Sequence, residues 1–192
     1  IPALALPLTV LYGPTLSFNF SFLLSFALTG YTTYLLAYYL THHRLSAFIA
    51  GFIFAFYPAR FGYATGTFLG QLTTYFLPLY LLALFMLAQR PNWPRAIWGT
   101  LVLACLCLTW PLHVAYGVVI FTVVFMIFQI STWLRQPISR NSLKYFGLMF
   151  GLTLILIIGF YLPLYTSFQR GDNAHLSGSD TTNFAIDLTA FI

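Results

Sequence analysis

Apolar residues in this chain come in long, nearly unbroken runs. They show neither the alternation of a half-buried strand nor the stripe of a surface helix. Residues 15–40 form the first run, which closes at His42, His43 and Arg44. The second, 45–57, is short and stops at Tyr57-Pro58. The third, 72–89, ends at Gln89-Arg90-Pro91, and the fourth, 95–110, is again short and stops at Trp110-Pro111. The fifth, 112–134, ends at Trp133 and Arg135, and a last run covers 145–166. A hydrocarbon core about 30 Å thick takes roughly 20 helical residues to cross. The pattern therefore predicts an all-α fold, a polytopic transmembrane bundle of about six passes, two of them short. It predicts one transmembrane domain over 1–192, with 167–192 as an outward-facing loop.

Within these runs the small residues are ordered. Ser17, Ser21, Ser25, Thr29, Thr33 and Ala37 follow one another at intervals of four, a gently spiralling stripe on the first helix. Lipid gains nothing from small hydroxyls, whereas a neighbouring helix approaches closely over them, so the stripe predicts a packing face. Ala47, Gly51 and Ala55 in the second run, and Gly147 and Gly151 in the sixth, predict the same device. No repeat of 20 to 50 residues is visible.

Composition sharpens the solvent. The chain is 60% hydrophobic and 6% charged, against about 25% charged in ordinary soluble domains, too little charge to cover a water-facing surface. The net charge of +5 is spread singly between the runs and so excludes a nucleic-acid patch. Loops after the first, third and fifth runs hold Arg44, Arg90, Arg95, Arg135, Arg140 and Lys144, whereas the others hold Arg60 and Arg170 with all three acids. The basic set marks the cytoplasmic side, which leaves 1–14, 58–71, 110–113 and 167–192 facing outward. Tyr and Trp near the run ends read as interfacial belts. Cys105 and Cys107, two apart on a helix, suit neither a disulfide nor a metal. Both ends of the chain read as cut.

Few residues are left for chemistry. Arg60 lies on an outward stretch with Gly62, Gly66 and Gly70 at intervals of four. It reads either as a planar cation suited to a phosphate or carboxylate or as a snorkelling side chain that caps carbonyls. His113 and Tyr116 share a face at the outer start of the fifth run, as a proton carrier or phosphate donor, or as an interfacial histidine bound to a loop. Asp187, among apolar neighbours, points into a site or caps a helix. Asp172, His175, Asp180 and Asp187 match no metal-ligand spacing, so neither a cofactor nor a metal is expected. No P-loop, nucleophile elbow, HExxH or GxGxxG occurs.

The outward lead Leu4 to Pro14, the helix Asn19 to Leu40 with its basic turn, the run Ala50 to Arg60, Gln71 followed by Pro78-Leu79, and Asp187-Leu188 together resemble bacterial multi-pass glycosyltransferases of the GT-C superfamily. The resemblance implies a GT-C-like bundle in the bacterial cytoplasmic membrane that transfers a sugar from a polyprenyl-phosphate donor to an acceptor on the outer membrane face, with inversion. It implies a catalytic acid in a first outward loop, upstream of Ile1. By position it assigns Arg60, His113 and Gln71 to the donor phosphate. Tyr63 stands where the family often has a histidine, three residues after the arginine. Two other classes stay open: a transporter or flippase, which would set polar groups at mid-membrane depth in broken helices, and a non-catalytic membrane scaffold.

Overall fold

The computed structural model of the chain describes residues 10–11, 13–65, 74–109, 113–133 and 139–169. They are helical and contain no strand. Seven helices run through them: α1 (Pro14–Thr41), α2 (Arg44–Ala55), α3 (Pro58–Thr65), α4 (Phe76–Gln89), α5 (Trp93–Thr109), α6 (His113–Trp133) and α7 (Ser139–Gln169). Six correspond to the runs read from sequence. The seventh, α3, lies within a stretch expected as an outward loop. The last run was placed at 145–166, but α7 begins at Ser139 and continues to Gln169, into the expected loop. Two spans, Thr15–Thr41 and Ser142–Pro163, are long and apolar enough to cross a membrane.

Local chemistry sets the helix ends. Pro14 occupies the first turn of α1, where its missing N–H costs nothing, after Gly13 at φ 84°. At the other end His42 takes the left-handed conformation, φ 54°, and its N–H closes on the Tyr38 carbonyl at 2.8 Å. His43 then caps α2, its Nδ1 accepting from the Ser46 N–H at 3.3 Å. Two residues thus reverse the chain, and α1 and α2 form an antiparallel hairpin. α2 stops at Ala55 because Pro58 cannot continue it. Asn92 caps α5 by accepting from the Arg95 N–H at 3.0 Å.

α1 and α2 meet through backbone. Ala47, Gly51 and Ala55 are buried, as their spacing predicts. A methyl group built on Gly51 would stand 2.5 Å from the Gly30 carbonyl oxygen, which is backbone and has nowhere to go. The stripe on α1 is buried at Ser17, Ser21, Ser25 and Thr29, then passes to Thr32, with Thr33 only half-buried. Four residues turn a helix by about 400°, so a strict interval of four drifts off the face, and a step of three restores it.

Past Thr74 the packing changes character. Tyr80, Leu84 and Leu87 of α4, Val102, Leu103 and Leu106 of α5, Val118 of α6, and Phe146 and Met149 of α7 form an apolar core. Large side chains interlock there. Met149 reaches over Gly99, where a methyl group would stand 2.6 Å from its sulfur, and the Thr100 hydroxyl donates to the Met149 carbonyl at 3.2 Å. The expected packing role of Gly147 and Gly151 is not found. Both are exposed, and a methyl group on either would meet nothing within 4 Å. α7 instead buries Ser142, Phe146, Met149 and Thr153. These follow at steps of four, three and four, the true helical period, whereas the glycines fall on the outer face.

Candidate functional site

Arg60 is the centre of the site. It stands in the first turn of α3, its N–H closing on the Tyr57 carbonyl at 3.0 Å, and its side chain turns inward to 0% exposure. The guanidinium meets hydroxyls from two sides. Nη1 donates to Thr29 Oγ1 at 2.7 Å and to Thr74 Oγ1 at 2.6 Å, and Nη2 donates to Ser25 Oγ at 3.2 Å. Thr29 and Thr74 are themselves 3.3 Å apart.

These hydroxyls work as adapters. A helix carbonyl already bonded within its own helix points along the axis and is poorly placed for a cation beside it. A serine or threonine on the flank accepts a hydrogen bond from the cation and donates its own O–H to such a carbonyl. Ser25 Oγ donates to the Phe22 carbonyl and Thr29 Oγ1 to the Ser25 carbonyl, each at 2.7 Å. The positive charge of Arg60 is in this way spread into the backbone of α1 through two side chains. A hydrogen bond to a charged group contributes about 1.5–3 kcal/mol, so these bonds make a firm tie.

The flat face of the guanidinium is used as well. Its carbon lies 4.5 Å from the centre of the Phe26 ring, in cation–π range. Phe26 in turn borders a groove of about 680 Å³ between α1 and α2. Gly30 and Gly51, in close backbone contact with each other, are among the residues that line it. Most of its lining is aromatic: Phe22, Tyr31 and Tyr34 from α1, Phe48, Phe52 and Phe56 from α2, and Phe61 of α3, whose ring centre is 6.0 Å from that of Phe26. The rings run on in contact, with Phe22–Phe26 centres 5.1 Å apart, Phe26–Phe56 5.7 Å and Phe52–Phe56 5.0 Å. Such a surface suits a hydrocarbon chain and offers little to a polar one.

No family model, curated protein or solved structure matches the chain.

The structure gathers some of the expected site residues and not others. Arg60 does not stand open on an outward face. It is enclosed, with the Phe26 ring against the face of its guanidinium. Tyr63 belongs to α3, and His113 and Tyr116 to the first turn of α6, but their side chains are outside the described part. Gln71 and Asp187 lie outside the described residues, as do Gly66 and Gly70. At Gly62 a methyl group would meet nothing within 4 Å. Among the described residues no group of three or more His, Cys, Asp or Glu is placed to hold a metal ion. Sequence reading did not join Arg60 to Ser25, Thr29 and Thr74, nor did it find the aromatic groove. A signal was present: a packing stripe needs small residues, whereas a stripe of hydroxyls supplies acceptors and so asks for a donor.

Proposed function

We propose that this chain is the helical part of a multi-pass protein of the bacterial cytoplasmic membrane, and that it handles a polyprenyl-phosphate-linked sugar. The sugar passes to an acceptor at the outer face, and the isoprenoid tail lies in the groove between α1 and α2. The observation that carries this reading is the groove itself, lined largely by aromatic rings, with one of them, Phe26, lying against a buried cation. The GT-C-like sequence features point the same way. Membrane embedding is supported by the two long apolar spans and by an exterior rich in Leu, Ile, Val and Phe, the side chains lipid accepts. Arg60 serves this site by fixing Phe26 and α3.

The groove gives the test. Ala27 is exposed and borders it, so Ala27→Trp fills it without touching the Arg60 bonds. In the full-length protein, sugar transfer from a polyprenyl-phosphate donor falls at least tenfold in this variant, and a photoreactive donor no longer labels α2. Unchanged transfer and labelling would remove the donor from the groove.

A second reading, a flippase or transporter, has an observation of its own. Ser25 and Thr29 precede Thr41 by 16 and 12 residues, roughly 24 and 18 Å along α1 at 1.5 Å per residue. With the basic end of α1 at the inner boundary, the Arg60 head lies well inside a core about 30 Å thick, beside the break between α2 and α3. Ionisable groups at broken helices are what transporters use. Movement of the intact lipid-linked sugar between leaflets, with no sugar transferred, would favour it.

A further inference from the structure

Two turns of the chain meet at one end of the bundle. The Tyr39 hydroxyl donates to Gln89 Oε1 at 2.7 Å, and this bond sets the α1–α2 turn beside the α4–α5 turn. Three arginines stand there: Arg44 opens α2, Arg90 follows α4, and Arg95 lies in the first turn of α5. Arg95 is committed to the turn itself, its Nη1 donating to the Arg90 carbonyl at 2.7 Å and to the Met86 carbonyl at 3.4 Å. Arg44 and Arg90 are exposed, and their guanidiniums make no hydrogen bond or ion pair among the described residues. The chain has three acids, Asp172, Asp180 and Asp187, and none lies among the described residues.

The same end carries the marks of a membrane interface. Trp93 is 63% exposed at the start of α5, and Tyr38 is exposed in the last turn of α1. Amphipathic rings of this kind sit at headgroup depth. Next to Arg44 the outer face of α2 turns apolar at once, with Leu45 and Ile49 exposed. We propose that the joined turns bind an acidic phospholipid of the inner leaflet. Its phosphate is held by Arg44 and Arg90, and an acyl chain lies along Leu45 and Ile49. The guanidinium fork matches phosphate oxygens, and each basic side chain at a membrane surface draws acidic lipid to it. A zwitterionic lipid brings its own ammonium to two cations with no acid to offset it, so the headgroup that fits is one of net negative charge. The site rests on the membrane embedding proposed above and is independent of the sugar donor.

Tryptophan quenching in the full chain tests it. Trp93 is kept as the reporter, and Trp98→Phe, Trp110→Phe and Trp133→Phe remove the others. The chain is reconstituted in phosphatidylcholine vesicles holding rising fractions of phosphatidylglycerol brominated close to the headgroup, or of phosphatidylcholine brominated in the same way. Brominated phosphatidylglycerol quenches Trp93 with an apparent affinity at least about fivefold above that of brominated phosphatidylcholine. Arg44→Gln with Arg90→Gln brings the two lipids to within about twofold of each other. Lys144→Gln, which removes an exposed cation of α7, leaves the preference in place. Should the reporter variant not assemble, native mass spectrometry of the chain with its tryptophans intact, counting retained phosphatidylglycerol, gives the same ranking. Equal quenching by the two lipids before any arginine is changed overturns the site, and so does a loss in Lys144→Gln as large as in the arginine pair; either result leaves the chain in the membrane. Quenching by neither lipid overturns the membrane embedding and the site with it.

Discussion

At the α1–α2 crossing, backbone lies against backbone: Gly51 has no room for a methyl group because the Gly30 carbonyl is 2.5 Å from where it would be. At the α5–α7 crossing a glycine again sits at the contact, but what fills the space over Gly99 is the Met149 thioether. The first corner of the molecule joins its helices by close approach and by hydroxyls around one arginine. The second joins them by interlocked large side chains. A backbone contact has no rotamer to change, whereas a thioether has three rotatable bonds. The two regions should therefore respond differently to the same chemical insult.

Gly51→Ala gives the largest expected effect. The helices must separate, and overpacking of this kind costs about 2–3 kcal/mol, read as a lowered midpoint for unfolding in mixed detergent micelles. Thr29→Val comes next. It deprives Arg60 Nη1 of one of its two hydroxyls and leaves a buried charge short of an acceptor, at about 2 kcal/mol. Gly99→Ala is the informative partner of Gly51→Ala. The clearance there is nearly the same, 2.6 Å, yet Met149 swings aside and the cost is about 1 kcal/mol or less. Equal losses at Gly51 and Gly99 would erase the distinction between the two regions. The smallest effect is a gain. Gly147→Ala adds a methyl group in open space and raises stability by about 0.5–1 kcal/mol through helix propensity. A loss there would restore Gly147 to the packing role its spacing first suggested.

The parts of the fold that were legible in sequence are those a single helix decides alone. Six helices followed from the apolar runs, and the packing faces of α1 and α2, though not their pairing, followed from small residues at helical spacing. What was not legible needed two elements at once. Gly147 and Gly151 look like Gly51 in sequence, and only their position relative to Phe146 and Met149 shows that they face outward. Arg60 stands 31 residues from Thr29 and 14 from Thr74, and no local pattern shows that α3 turns it inward. The hydroxyl stripe was read as packing because small size explains it adequately. The aromatic groove escaped because Phe22, Phe26, Phe48 and Phe52 resemble any lipid-facing phenylalanine until α1 and α2 are brought together.

The tie between Arg60 and its hydroxyls is the joint on which the first region depends, and a double-mutant cycle measures it directly. Thr29→Val, Arg60→Met and the two combined are unfolded under identical conditions. If the hydroxyl serves the guanidinium, Thr29→Val is costly with Arg60 present and nearly neutral once Arg60 is methionine, a coupling of about 1.5 kcal/mol. Losses that add to within about 0.5 kcal/mol would mean that Thr29 does not hold Arg60, and the buried tie described here would be wrong.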